Sequence, residues 1–327
     1  MSNIKLTMPH RPITTEIRCE LSRRFPIAQG DVDLFRYCLK PLPSKYGGQQ
    51  EAILIFEDGM KSGHSNAELE GEIVLSFISL LFDCRIRKTG HRVNGLDISG
   101  DYPAKAHLSE LFEGQIATGD AAVMVRHLFT LGDQLTKQFV RACNAYALAI
   151  ASVELDRSLS FLLLVIALEC LSTQEEFCPN AELNKETKSA KRYCRLVSAY
   201  CGEAQSLYPS GGEEAFLRDL KTVYHSHRSG FVHCGKGVSI ASKIADRSGF
   251  NSIGHLVNGK EVYTPSLKWF FQITRGTLIG FLLNFPRSDA SPNQEVLADI
   301  ARSCSVLTMR VGEPNPQINP DAGDEAM

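Results

Sequence analysis

An α+β fold is predicted, with a β-rich N-terminal domain followed by an all-α helical bundle, and three observations carry it. The first third of the 327-residue chain alternates short β-favouring runs with turn residues. From about Gly119 the apolar residues recur with a period near 3.6 rather than 2. The run Phe161-Leu-Leu-Leu-Val-Ile-Ala-Leu168 is apolar around nearly its whole circumference, which predicts the central helix of a bundle. The domains are drawn accordingly at 1–118, 119–286 and a C-terminal segment, 287–327.

In the first domain, Ile13 to Ile17, Val32 to Leu39, Ala52 to Phe56 and Glu72 to Phe82 read as β-favouring runs. Pro41-Leu-Pro-Ser-Lys-Tyr-Gly-Gly48 and Glu57-Asp-Gly59 supply turns between them. The polar residues there form no recognisable catalytic cluster, which leaves a scaffold, sensing or recognition role. Asp120 is placed to cap a helix through Val123, Val125, Leu128 and Leu131, and the helical pattern continues through Leu135, Phe139, Ala142, Tyr146 and Ile150. Asp156 or Ser158 starts the apolar helix, which runs to Leu171.

Glu175 to Lys188 is a polar connection to a helix from Ala190 to Tyr200, with Gly202 as its stop. Ser210-Gly-Gly212 precedes a helix from Glu213, whose acidic first turn suits the positive end of the helix dipole. Pro265 starts the last long helix and Pro286 ends it. A short helix is expected from Asn293 to Cys304, and the Pro-, Asn-, Asp- and Gly-rich residues beyond Val311 predict a disordered tail.

A formal net charge of −2 and a pI of about 6.5 provide no global basic footprint, so contact with nucleic acid must come from a local patch. The ten cysteines are scattered, without a C-x-x-C pair or a zinc-spaced Cys/His ladder. No secretory leader is read in Met1-Ser-Asn-Ile-Lys-Leu6, and the longest apolar run is far short of a membrane span. The expectation is a cytoplasmic protein with no membrane segment, metal or cofactor, whose cysteines are mostly small core hydrophobes.

The chemistry is concentrated in Tyr224-His-Ser-His-Arg228-Ser229-Gly-Phe-Val232-His233-Cys-Gly235. An arginine grips phosphate through bidentate, charge-assisted hydrogen bonds, and a histidine titrates near neutrality and can move the proton of a ribose 2′-hydroxyl. Arg228 and His233 are the candidate catalytic pair. Five positions on a regular α-helix separate side chains by about 140°, so the two do not share one face. Gly230 and Gly235 point to a weakened or ending helix that lets both turn toward one cleft, and a two-fold dimer would appose two such pairs.

Glu169 interrupts the apolar helix with a carboxylate. It either reaches solvent or a basic residue such as Arg192 or Arg195, or it faces Arg228 and orients it. His225 and His227 are further candidates for proton transfer or phosphate contact, although alternate helix residues point to different sides. A small basic cluster, Lys185, Lys188, Lys191, Arg192 and Arg195, is what a nucleic-acid-binding regulator would use, and a charge run of this kind is more often a solvated face.

The stretch Leu159 to Leu171 with its Ala167-Leu-Glu169-Cys-Leu171 core, the segment Tyr224-x-x-x-Arg228-Ser229-x-x-Val232-His233-x-Gly235 and the last helix with Arg275 together resemble a HEPN domain of the Apea-like branch, found in bacterial abortive-infection proteins. The resemblance covers roughly residues 119 to 286. It implies a helical bundle that dimerises through the helices bearing the R-x4-6-H motif, and a metal-independent endoribonuclease built across the two-fold axis. It further implies that His233 acts on the 2′-hydroxyl or the leaving oxygen, while Arg228 holds the scissile phosphate. Tyr224 and Glu169 would support the site. Ser229 stands where the family commonly carries a polar residue, and it would either hydrogen-bond phosphate or cap the chain locally.

Many antitoxin-paired HEPN toxins carry a tyrosine two residues after the histidine, where this chain has Gly235. That mode of control is therefore not expected. The implied partners are an RNA substrate, a second copy of the chain and a defence-system protein. The alternative within the same fold is a non-catalytic dimerisation or ligand-sensing module.

Overall fold

The computed structural model describes residues 13–21, 31–34, 36–42, 50–58, 64–98, 118–172, 189–201, 212–229, 252–257 and 260–284. Its architecture is α+β. Six strands, β1 (Ile13–Leu21), β2 (Val32–Leu34), β3 (Tyr37–Pro41), β4 (Gln50–Asp58), β5 (Ile86–Val93) and β6 (Leu96–Ile98), form an antiparallel sheet in the order β2-β3-β4-β1-β5-β6. Alternate residues are buried, as in Thr15, Ile17, Cys19 and Leu21 of β1 and Ala52, Leu54 and Phe56 of β4. That period of two directs one face of the sheet into the core.

Helix α1 (His64–Phe82) packs on the sheet and on the helices behind it. At Gly71 an added Cβ would lie 1.9 Å from Ile17 Cδ1, so the helix backbone rests directly on β1 and only glycine fits there. Glu70 of the same helix is buried, but it accepts a hydrogen bond from Tyr37 Oη at 2.7 Å and pairs with Arg36 at 3.0 Å.

The run Glu72 to Phe82, expected to be β-favouring, is the second half of α1. Eight of its residues, Ile73, Val74, Leu75, Phe77, Ile78, Leu80, Leu81 and Phe82, are buried. A segment buried on most sides has no alternation to reveal, so burial overrides β propensity there. Val32 to Leu39 is likewise two short strands rather than one.

The helical layer comprises α2 (Thr118–Leu128), α3 (Asp133–Ser152), α4 (Arg157–Ser172), α5 (Ser189–Tyr200), α6 (Gly212–Thr222) and α7 (Leu267–Asn284). Gly132, with φ of 82°, separates α2 from α3. Asp156 caps α4 through Oδ1, which accepts from the backbone N–H of Ser158 at 2.8 Å and of Leu159 at 3.3 Å. Asp120 lies inside the first turn of α2 and is not its cap. The last helix is capped by Ser266, whose Oγ accepts from Trp269 N–H at 3.0 Å, one residue after the expected Pro265 start.

The region read as wholly helical also contains a hairpin, β7 (Ser252–Val257) with β8 (Lys260–Pro265), paired from Ser252 opposite Pro265 to Val257 opposite Lys260. The residues 287–327 and the boundary between 118 and the preceding strand lie mostly or wholly outside the described residues. Among the described residues, no helix is long and apolar enough to cross a membrane.

Two contacts tie the layers together and fix the frame around α4. Helix α7 stacks Phe270 on Phe161 of α4, with ring centroids 5.8 Å apart, and its Gly280 meets the end of α5, where a Cβ would lie 2.0 Å from the Tyr200 carbonyl oxygen. Arg275 of α7 reaches across to α1, donating from Nε to the Leu80 carbonyl at 2.9 Å and from Nη2 to the Leu81 carbonyl at 2.6 Å. These are carbonyls of the last turn of α1, which have no intrahelical partner, and the cation faces the negative end of the helix dipole. Beside them Tyr146 Oη of α3 donates to buried Asp83 at 2.6 Å. The buried residues of sheet and helices form one continuous apolar cluster, from Ile17 to Leu282.

Candidate functional site

The site begins where α6 stops being an α-helix. Val223–Ser229, directly after α6, is wound as a π-helix. Its residues, Val-Tyr-His-Ser-His-Arg-Ser, are β-branched, aromatic, imidazole and hydroxyl types with modest helix propensity, and Gly230 follows in sequence. Widened turns of this kind recur at functional sites because they re-aim side chains within a continuous helix.

Tyr224 and Arg228 stand four residues apart, and both turn toward Glu169 near the end of α4. Tyr224 Oη donates to Glu169 Oε1 at 2.7 Å, and Arg228 Nη2 lies 3.5 Å from the same oxygen. The guanidinium carbon is 5.5 Å from the centre of the Tyr224 ring, within cation–π range. Of the two directions open to Glu169, the structure takes the one toward Arg228. Arg192, the basic residue of α5 considered for it, has Nη2 3.5 Å from Ser189 Oγ.

Tyr224 is the hinge of this arrangement. Burial raises its phenol above the ordinary pKa, and the hydrogen bond and charge of Glu169 raise it further, whereas Ser189 and Arg228 pull it down. The phenol therefore remains a proton donor to Glu169 at neutral pH. Tyr193 of α5 packs on it with ring centroids 5.4 Å apart, and the buried Tyr193 hydroxyl has no hydrogen-bond partner among the described residues. Tyr193 and Ser189 were not singled out from the sequence. Tyr193 shows there only as one of the apolar positions Ala190, Tyr193, Cys194 and Val197 on a helix face, which marks core and not proximity to Tyr224.

Arg228 retains capacity for an anion. Its side chain is 30% exposed, Glu169 is its only ion-pair partner among the described residues, and the 3.5 Å separation is long for a charge-assisted bond. His225 is exposed, with its imidazole edge-on to Tyr224 at 5.7 Å. His227 and Ser229 lie on the π-helical segment, and His233 lies outside the described residues. The structure thus brings together Glu169, Tyr224, Arg228 and His225.

Of the basic cluster, Lys191 and Arg195 are exposed on α5, while Lys185 and Lys188 lie outside the described residues. Among the described residues there is no group of three or more His, Cys, Asp or Glu side chains placed to hold a metal ion. Set against known proteins, the chain matches no family model, no curated protein and no solved structure.

Proposed function

We propose that this protein is a metal-independent endoribonuclease of HEPN type, acting in an antiviral or abortive-infection system through a composite Arg228/His233 site in a dimer. In this reading residues 1–118 are a β-rich sensing or regulatory domain, and residues 119–286 are the helical ribonuclease domain. The observation that carries it is the anchoring of Arg228 by Glu169 and Tyr224 with its guanidinium still partly open to solvent. A preorganised cation of this kind is what a phosphodiester needs while charge builds on its oxygens.

His233, five residues further on, takes the proton of the 2′-hydroxyl as general base. The 2′-oxygen then bonds to phosphorus, the bond from phosphorus to the 5′-oxygen breaks, and a proton passes to that leaving oxygen. The products are a 2′,3′-cyclic phosphate and a 5′-hydroxyl, with no co-reactant consumed. The π winding supports this assignment because it changes the angular spacing that an α-helix would impose on a five-residue separation.

A second copy is supported by an uncovered apolar stripe. Leu159, Leu162, Leu163 and Ile166 follow one side of α4 and end one turn before Glu169, the first three half-buried and Ile166 36% exposed. Leu148 of α3 is 56% exposed and Leu155 in the α3–α4 turn is 87% exposed. Such a face is the kind that self-association covers.

The test is cleavage of RNA by the purified chain in the presence of a chelator, with cyclic-phosphate ends identified on the products. Arg228→Ala and His233→Ala are each expected to abolish it, and an all-2′-deoxy strand is expected to be inert. Cleavage that survives both substitutions removes the assignment.

The second reading is a non-catalytic dimerisation or ligand-sensing module, and the Arg228–Glu169 ion pair favours it, since it already occupies the guanidinium. Folded, dimeric protein without ribonuclease activity under any activating condition would establish that reading.

A further inference from the structure

Next to the Arg228 site, a surface depression of about 510 Å³ runs along α6 and is lined by Glu214, Leu217, Arg218, Lys221, Thr222 and His225. These positions follow the three-and-four spacing of one helix face, so the depression lies parallel to the helix and ends against the π-helical segment. Its charge is graded. Glu214 stands at the far end, and then Arg218, Lys221, His225 and Arg228 succeed one another toward the site.

The cations are disposed toward solvent. Arg218 is 47% exposed even though its Nε lies 3.4 Å from buried Asp219, and Lys221 and His225 are exposed. Lys221 also marks the seam with α5, since its charge draws down the thiol of Cys194, which burial nevertheless raises to about 11. The helix dipole accounts for acidic residues in the first turn of α6 and Lys221 in its last. It does not account for Arg218 at mid-helix or for His225 and Arg228 beyond the α-helix.

We propose that this groove is a binding track for the phosphate backbone of single-stranded RNA, leading the strand along α6 to Arg228. Ten residues separate Arg218 from Arg228, about 15 Å of helix. At about 3.4 Å per stacked nucleotide, that length holds roughly four nucleotides. The arrangement explains how a chain with a net charge of −2 can hold a polyanion, because the attraction is confined to one helix face. The track rests on the ribonuclease reading in that Arg228 is its terminus.

The experiment is fluorescence anisotropy of the full chain with a 2′-O-methylated single strand, which binds but supplies no attacking hydroxyl, measured across a salt titration. Lys221→Glu leaves the Arg218–Asp219 contact in place. It is expected to weaken binding about fivefold to tenfold and to lower the slope of log affinity against log salt by about 1. Lys221→Arg is expected to retain both. Unchanged affinity and slope in Lys221→Glu, or no binding by the wild-type chain, overturns the track. Cleavage of unmodified RNA is scored separately. A wild-type chain that binds the methylated strand through Lys221 yet cleaves nothing upholds the track and sinks the nuclease reading.

Discussion

The molecule places an arginine, a tyrosine and a carboxylate together twice, to opposite ends. At the junction of α1, α3 and α7, Arg275 spends Nε and Nη2 on two main-chain carbonyls while Tyr146 donates to buried Asp83. Beside α4, Arg228 approaches Glu169 through one nitrogen at 3.5 Å while Tyr224 donates to the same carboxylate oxygen. The components match, but the first arginine completes helix-end hydrogen bonding inside the fold and the second is left partly open. The difference teaches that the role of an arginine is set by what its remaining donors face, not by its immediate carboxylate and tyrosine neighbours.

The largest effect expected from breaking this comparison is on stability at the junction. Arg275→Ala leaves the Leu80 and Leu81 carbonyls without their donor, and should cost about 3 kcal/mol in chemical denaturation. Arg228→Ala should cost under about 1 kcal/mol, because the pair it breaks is partly solvated. Equal losses in the two variants would dissolve the distinction.

Removing the phenol hydroxyls sharpens it further. Tyr146→Phe deprives a buried carboxylate of a donor and should cost about 2 kcal/mol. Tyr224→Phe should cost about 1 kcal/mol while reducing RNA cleavage about tenfold, since Arg228 loses a positioning partner bonded to Glu169. Cleavage unaffected by Tyr224→Phe would confine that tyrosine to packing.

The smallest effect appears in alkaline titration. Burial, reinforced by Asp83, holds Tyr146 well above the model value of 10.0, and Tyr224 is raised as well, with Ser189 and Arg228 opposing the shift. A phenol with a raised folded pKa binds its proton more tightly in the native state. Its contribution is therefore whole below about pH 10 and is lost as pH rises through the folded pKa. Phenolate absorbance should show Tyr146 ionising only with unfolding, and Tyr146→Phe should remove that late component. Ionisation of Tyr146 together with the exposed tyrosines would contradict its burial.

The sheet strands β1 and β4, the helices from α3 onward and the capping by Asp156 were legible because alternation, helical period and a side-chain cap are local signals. Two hairpins passed unread although each carries a strong short-range signal. Asn94-Gly95, with φ of 50° and 80°, turns β5 into β6, and Asn258-Gly259 stands in sequence between Val257 and Lys260 of the second hairpin. Their strands are short or polar, so the turn residues, not the strand residues, hold the information. At the site, Arg228 and Glu169 were visible as residue types out of place in their helices. The Ser189 and Tyr193 contacts to Tyr224 were not, because only the packing of α5 on α4 brings them there.

The π winding of Val223–Ser229 has one more consequence, which concerns chain length. A wider turn accommodates an additional residue in the space of an α-turn. Removing any one residue between 223 and 229 would let ordinary winding resume and would rotate everything after Ser229 by about 100° relative to α6. This stretch should therefore accept many single exchanges of side chain and still fail on a single-codon deletion, so that the count of residues, more than their identity, sets where the following segment points.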